Sequence, residues 1–288
     1  MPFKSILASL TGFSSDRNVL DAAVALARPS AAHVHCLHAR IDVSQTADFI
    51  SATARAEDVM FELTRKIAEE ERARGRHAED AFHAACKRHA LPGAERPEQA
   101  TGISVSWQEM VTLENETLAQ ARYHDITVMG RDPELSREAI QTVLMRSGRP
   151  LLLAPLTAVT TMDHHVVIGW KETPEAARAV TAAMPLIAAA KGVTIACVSR
   201  SPAMCDTDRQ SAERLARELA WHGIAAEIHV EHRAGLSDVD AMRDICHVKR
   251  ADVLVMGAYG HSRARELVFG GMTQGMLSSC GTPVFMFH

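Results

Sequence analysis

The sequence predicts an α/β protein with two tandem domains, each built on a five-stranded parallel sheet. Its 288 residues correspond to two domains of ordinary size. Short runs of apolar, β-branched residues alternate with helical patterns, as in parallel strands that helices cover on both faces. The run at 125–130 (DITVMG) nearly repeats at 252–257 (DVLVMG), and each is followed by a proline and a last apolar run. A duplicated domain accounts for these observations.

Five apolar runs predict the strands of the first half, at residues 6–10, 34–37, 103–107, 126–129 and 151–154. Helical patterns between them cover residues 21–27, 57–72 and 109–122. This half also carries a charged insert at 57–98. Its pattern predicts a long, solvated amphipathic helix and a loop at 91–93.

Five further runs predict the strands of the second half, at residues 166–170, 193–198, 226–230, 253–256 and 284–287. Helical patterns cover residues 174–190, 208–221, 238–248 and 272–280. The triplet Thr173-Pro174-Glu175 is a helix start, because it offers an N-cap, a proline at the first position and an acid in the first turn. The Thr-rich stretch 156–164 separates the halves, which gives domains at 1–156 and 164–288.

Composition excludes several classes of function. The chain has 31 Lys and Arg against 35 Asp and Glu, so no basic excess favours nucleic acid. No apolar run reaches the 18 residues of a membrane span, and no signal-peptide pattern opens the sequence. The six cysteines are scattered without a C-x-x-C pair, which favours reduced thiols. We therefore expect a cytoplasmic protein with no membrane partner.

A glycine-rich segment at 256–273 carries the clearest functional signal. It follows a predicted buried strand and leads into a helix, which is where α/β sheets bind ligands. Glycines let backbone N–H groups approach phosphate oxygens, and a helix N-terminus adds further donors. The segment is neither a Walker A loop nor a G-x-G-x-x-G motif. On these grounds alone, Gly257 and Gly260 could also be simple turn glycines.

The same segment is similar to the universal stress protein family, whose nucleotide-binding members carry G-x2-G-x9-G-(S/T). Gly257, Gly260 and Gly270 keep this spacing. Gly271 stands where the family has Ser or Thr, and Thr273 follows two residues later. The stretch 282–286 also resembles the family's last strand. The resemblance covers both halves and implies two Rossmann-like domains of the adenine nucleotide alpha hydrolase type, packed as a pseudo-dimer.

The resemblance implies that the second half binds ATP or a related adenine nucleotide, with or without Mg²⁺, in a regulatory role. The candidate binding residues lie at the ends of the strands of that half or after them: Trp170, Lys171, Thr173, Val198, Met256, Gly257, Tyr259, Gly260, His261, Gly270, Gly271, Met272 and Thr273. Adenine would meet main-chain groups near Val198. Lys171 stands where the family has an acid, and it is either a phosphate contact or a solvent-facing lysine.

The first half is expected to lack a phosphate site. Only Gly130 of the glycine pattern is present there, and Pro133 removes an N–H that a phosphate loop needs. Thr11 stands where the family has its acid.

No catalytic residue or metal ligand is predicted. There is no G-x-S-x-G elbow, and the resemblance allows at most weak ATP hydrolysis, for which no base is evident. His261 is expected to donate a hydrogen bond to phosphate. The histidines at 33, 35 and 38, and His83, Cys86 and His89, do not converge as zinc ligands should.

A second hypothesis is a nucleotide-independent scaffold whose charged insert meets a protein partner. The apolar run at 284–287 predicts strand pairing, either with residues 151–154 of the same chain or in a homodimer.

Overall fold

A computed structural model describes residues 2–41, 57–112, 116–132, 137–159, 161–233, 235–258, 271–278 and 281–288. These residues form one ten-stranded, mostly parallel sheet with helices on both faces. The strands are β1 (Ser5–Leu10), β2 (His33–Ile41), β3 (Ser104–Thr112), β4 (Ile126–Met129), β5 (Leu151–Leu153), β6 (His165–Gly169), β7 (Gly192–Ser199), β8 (Ala226–His232), β9 (Val253–Gly257) and β10 (Val284–Phe287). The predicted α/β class is confirmed.

Eight α-helices lie within the described ranges. They are α1 (Asp16–Ala27), α2 (Glu57–His89), α3 (Glu116–Ala121), α4 (Arg137–Arg146), α5 (Pro174–Ala189), α6 (Cys205–Trp221), α7 (Asp238–Val248) and α8 (Gly271–Ser278). Short 3-10 turns cover Arg28–Ser30, Pro97–Gln99 and Pro202–Met204.

The strand order is β3-β2-β1-β4-β5-β10-β9-β6-β7-β8. Each half therefore has its strands in the same relative order, and all neighbours within a half are parallel. The halves meet where β5 and β10 pair antiparallel, with Val284 opposite Leu153 and Met286 opposite Leu151. The predicted pairing of the last strand thus takes place within the chain.

Central strands are buried on both faces, which explains their continuous apolar sequences. All four residues of β4 and all three of β5 are buried. One hydrophobic cluster contains Ile6, Val128 and Phe285, and a second contains Leu7, Leu153 and Val284. Strands from both halves contribute to each cluster, so the core continues across the β5–β10 junction.

The predicted helix at 109–122 was wrong in its first part. Residues 109–112 belong to β3, which pairs with β2 in register from His33–Ser104 to Ile41–Thr112. An ion pair across these strands joins Arg40 Nε to Glu109 Oε1 at 2.7 Å. Cross-strand pairing of this kind overrides the local helical pattern.

Other boundaries also differ from the prediction. Helix α1 begins five residues before the predicted start, α2 continues to His89, and α4 had no predicted counterpart. Strand β6 ends at Gly169, so Trp170 lies in the following loop. Helix α5 begins at Pro174 as predicted, with the Thr173 hydroxyl accepting from the N–H of Ala176.

Candidate functional site

Each half has one point at which the strand order reverses. In the first half β1 lies between β2 and β4, and in the second half β6 lies between β7 and β9. The crevice outside the carboxyl ends of such strands is where open α/β sheets bind ligands. The chain therefore has two candidate positions, one at the β1–β4 switch point and one at the β6–β9 switch point.

In the second half, the loop after β6 is anchored on both sides. The Trp170 indole is half-buried, and its Nε1 donates to Ser211 Oγ of α6 at 3.0 Å. The Trp170 backbone N–H donates to the carbonyl of Ala196 at 2.8 Å, which ties the loop to β7. Lys171 is exposed beside it. Thr173 then caps α5, so its hydroxyl is already engaged with that helix.

Gly257 ends β9 directly against the first turn of α5. A Cβ added at this glycine would lie 2.5 Å from the backbone N of Ala176 and 2.6 Å from the carbonyl carbon of Glu175. Glycine is therefore required here for close strand–helix packing, independently of any phosphate. Gly130 has the same role in the first half, where a Cβ would lie 2.8 Å from Ser15 Cβ near the start of α1.

Three other predicted residues share one hydrophobic cluster. Met256 is buried in it, and Val198 and Met272 are partly buried against it. Thr273 is buried in α8, whereas Gly271, the first residue of α8, is exposed and has open space where a Cβ would be. Tyr259, Gly260, His261 and Gly270 lie outside the described residues. The structure thus brings Thr173 and Gly257 to the start of α5, and Val198, Met256 and Met272 to one cluster.

The first half contains a cavity at its own switch point, which sequence reasoning missed. Its volume is about 160 Å³, and its walls come from β1, β2, β4, α2, α3 and α4. Thr11 and His38 line it at the carboxyl ends of β1 and β2. The charged helix α2 closes one side with Glu71 and Arg74. Thr11 at the end of β1 was the available signal, but nothing local indicates that α2 crosses this crevice.

Two buried carboxylates bond to the loop after β1: Asp16, the first residue of α1, and Asp132, which follows β4. The Asp16 carboxylate accepts from the backbone N–H groups of Thr11 and Gly12, both at 2.8 Å, and from the Thr11 hydroxyl at 3.1 Å. Asp132 accepts from the N–H and the hydroxyl of Ser15. Burial raises the pKa of Asp16 to about 6, and the charge of Asp132 adds to this, although the hydrogen bonds oppose it.

These carboxylates accept hydrogen bonds from the backbone N–H groups that follow β1. The protein's own negative charge therefore already occupies this position. An incoming phosphate would meet that charge and find those N–H groups already bonded. This arrangement favours the prediction that the first half has no phosphate site. Pro133, which entered that prediction, lies outside the described residues.

Helix α2 rests closely on the same loop. Gly12 has a φ of +79°, and a Cβ added there would lie 2.6 Å from Arg74 Cα. The Arg74 guanidinium lies over the Phe13 ring at 5.3 Å from its centroid and forms an ion pair with Glu71. Backbone packing, a cation–π contact and an ion pair thus hold α2 over the cavity.

Two histidines of β2, His33 and His35, are engaged within the protein. The Ser106 hydroxyl lies 2.9 Å from His33 Nε2 and 2.9 Å from His35 Nδ1, and the His35 ring stacks on His124. His89, on α2, lies 2.7 Å from a carboxylate oxygen of Asp21. Among the described residues, no group of three His, Cys, Asp or Glu side chains is arranged to hold a metal ion.

Comparison with solved structures identifies the fold. A universal stress protein from Archaeoglobus fulgidus DSM 4304 matches with a TM-score of 0.62 at 15% identity, covering 98% of this chain and 97% of that one. A protein assigned to the universal stress proteins from Pseudomonas aeruginosa UCBPP-PA14 matches with a TM-score of 0.56 at 15% identity, over 99% and 93% of the two chains. A functionally unknown protein from Pseudomonas aeruginosa PAO1 gives 0.55 at 14% identity, over 99% and 92%.

The chain therefore matches, in alignments that cover 98–99% of it, the α/β fold of solved universal stress proteins. The fold implied by the resemblance is confirmed. No protein-family model and no curated protein matches the sequence. In the described ranges, no helix combines the length and the apolar character needed to cross a bilayer.

Proposed function

We propose that this chain is a universal stress protein that binds ATP or a related adenine nucleotide in its second half. Its role is regulatory and cytoplasmic, and any ATP hydrolysis is weak. The observation that supports the proposal is the position of Gly257, which ends β9 next to the first turn of α5. It puts the start of the glycine-rich segment beside the Thr173 cap, at the β6–β9 switch point.

The two switch points differ in charge, and this difference favours the second half. Asp16 and Asp132 are buried beside the end of β1. The corresponding loop after β6 begins with Trp170 and the exposed Lys171. A lysine ammonium can approach a phosphate group, whereas buried carboxylates repel it. Because Lys171 replaces the family's acid, we expect any Mg²⁺ to arrive on the phosphates rather than on a protein ligand.

Gly271 offers a sharp test, because this position departs from the family pattern. A Cβ at Gly271 meets nothing within 4 Å, so a larger residue fits. Gly271→Ser restores the family's hydroxyl, and Gly271→Ala is the matched control with a Cβ but no hydroxyl. One added hydrogen bond from a hydroxyl to a charged phosphate strengthens binding by roughly ten- to hundredfold. We expect Gly271→Ser to bind ATP more tightly than Gly271→Ala by that factor in calorimetric titration.

Direct analysis of the purified protein complements this test. The chain is denatured, and the released small molecules are examined by absorbance and mass spectrometry. About one adenine nucleotide per chain would support one competent half. Lys171→Ala should weaken ATP binding, whereas Lys191→Ala, an exposed lysine at the amino end of β7, should not. If neither wild type nor Gly271→Ser binds any adenine nucleotide, the proposal fails and the protein-scaffold hypothesis replaces it.

A further inference from the structure

The two edges of the ten-stranded sheet differ. At one edge, the chain itself partly covers the outer side of β3, because the N–H of Val105 donates to the carbonyl of Pro92 at 3.0 Å and the N–H of Ala94 donates to the carbonyl of Val105 at 2.9 Å. At the other edge, β8 pairs with β7 and has no second neighbour among the described strands. The outer side of this seven-residue strand therefore presents backbone donors and acceptors that can pair with another strand.

The backbone direction shows which residues of β8 face outward. The N–H of Arg233 donates to the carbonyl of Ser199 on β7 at 3.2 Å. Because backbone groups alternate in direction along a strand, the odd-numbered residues of β8 also direct theirs to β7. Ile228, Val230 and His232 therefore direct their N–H and C=O groups away from the sheet.

The charged side chains of β8 are complementary to those of an antiparallel second β8. Glu227, His229 and Glu231 share one face of the strand, and Arg233 follows its end. In an antiparallel pair centred on Val230, Glu227 of each copy lies opposite Arg233 of the other. His229 lies opposite Glu231 in the same way. The two-fold axis repeats each of these combinations, so four complementary pairs form across the two strands.

Neighbouring registers fit less well. A pair centred on His229 places Glu227 opposite Glu231, and like charges that lie directly opposite destabilise a sheet. A pair centred on Ile228 places Glu231 opposite Ala225, so a complementary charge is lost. The charge sequence of β8 therefore selects one register.

Exposed apolar side chains lie at both ends of the same edge. Trp221 and Val248, which are 87% and 73% exposed, end α6 and α7 on the side where β8 begins. Met204 and Leu236 are also exposed, and they precede the same two helices on the side where β8 ends. Antiparallel pairing brings the beginning of each strand to the end of the other, so these two groups approach each other across the axis.

We propose that the outer edge of β8 binds a second copy of this chain, by antiparallel pairing of residues 227–233 centred on Val230. The ladder contains about six main-chain hydrogen bonds, because each outward-facing residue of β8 exchanges two with its counterpart. The edge lies two strands away from β6 and the second switch point, so this dimer is independent of the nucleotide proposed there.

Sedimentation of the full-length protein at increasing concentration tests the association, and we expect a reversible equilibrium between monomer and dimer. Amide hydrogen exchange locates it. Exchange at Ile228, Val230 and His232 should slow as the dimer forms, because their N–H groups enter the ladder. Exchange at Val105 should not change, since its N–H is already bonded to Pro92.

Two variants test the register by charge. Glu227→Arg places like charges opposite each other at both ends of the ladder, and Arg233→Glu does the same with the opposite sign. Each variant alone should dimerise about tenfold more weakly than wild type. An equimolar mixture should form a heterodimer, because both ends are then complementary again. Glu79→Arg, at an exposed site on α2, is the control and should dimerise like wild type.

The mixture also separates the interface from effects within each copy. Glu227 forms an ion pair with Lys249 at 2.6 Å, and Arg233 forms one with Asp238 at 3.0 Å. The variants lose these pairs, but mixing does not restore them, so a heterodimer can arise only from contact between copies. If a variant fails to fold, hydrogen exchange in the wild type decides.

Three outcomes would overturn the proposal. The first is a wild type that stays monomeric at every concentration, which would leave β8 as an edge protected by its charges. The second is a dimer that forms without slower exchange in β8 or that both single variants form as readily as wild type. The third is a mixture of variants that yields no heterodimer.

Discussion

Gly12 and Arg74 meet backbone to backbone, and this contact fixes the inserted helix over the first switch point. A Cβ at Gly12 would lie 2.6 Å from Arg74 Cα, and Gly12 itself adopts a left-handed φ of +79°. Both the contact and the conformation require glycine. Helix α2 is therefore a fixed part of the domain rather than a solvated appendage.

Gly12→Ala should destabilise the protein by more than the left-handed conformation alone explains. Strain of this kind costs about 1–3 kcal/mol, and displacement of α2 adds to it. Gly148→Ala is the control, because Gly148 has a φ of +69° but a Cβ there would meet nothing within 4 Å. Urea unfolding compares the two. Equal losses of stability would show that the Arg74 contact contributes nothing.

Gly257→Ala should destabilise the second half even without a ligand. The new methyl group would press on the backbone of Ala176, and overpacking of this kind costs about 1–3 kcal/mol. Gly281→Ala, where a Cβ meets nothing within 4 Å, should change the free energy of unfolding far less. The measurement is urea unfolding without nucleotide. A fully stable Gly257→Ala protein would contradict the packing role.

His124 should make the protein less stable in mild acid. Burial first, and then the neighbouring His35 and His33, lower the pKa of His124 to about 4. Between pH 6.5 and 4 the unfolded chain binds more protons, so this stability is complete above about pH 6.5 and is lost as pH falls. The loss is about 2 kcal/mol after allowance for partial exposure of the ring.

Replacing His124 with Asn removes the titration while offering a polar atom near the position of Nδ1, which lies 2.6 Å from Ser5 Oγ. Stability of His124→Asn should therefore depend less steeply on pH over this range. His83→Gln, at an exposed site on α2, serves as the control and should leave the profile unchanged. An unaltered profile in His124→Asn would show that this histidine does not carry the effect.

Asp16 should give the opposite pH dependence. Burial raises its pKa from 3.8 to about 6, so the folded chain holds a proton that the unfolded chain releases between these values. Its contribution to stability is complete below about pH 4 and is lost as pH rises through 6, by roughly 2–3 kcal/mol. Asp16→Asn should remove this slope in urea unfolding at about pH 4–7. Asp163→Asn, at a partly exposed site, should not. If the stability of Asp16→Asn keeps the same pH dependence, another titratable group is responsible for it.

Continuous apolar runs located the buried strands, because a strand that is buried on both faces has apolar residues at nearly every position. Strands β4 and β9 carry nearly identical runs and lie in equivalent positions of the two halves. The boundary between β3 and α3 could not be found this way. Residues 109–112 form a strand because they pair with β2. Local propensity does not depend on a strand that is distant in sequence, so it could not predict this pairing.

The candidate sites illustrate the same limit. The sequence identified Thr173 as the cap of α5, since a cap depends only on adjacent residues. Gly257 was identified as important, but its packing against α5 emerges only from the tertiary structure. The cavity beside His38 depends on six elements brought together by the fold, so no single motif could indicate it.

The antiparallel pairing of β5 with β10 also has an evolutionary consequence. A symmetric pair of identical subunits changes both of its sites with every mutation. Here the two halves are encoded separately and joined by backbone pairing between Leu151–Leu153 and Val284–Phe287. Each crevice can therefore change without altering its counterpart: one has buried carboxylates and an overlying helix, and the other has a glycine-rich sequence.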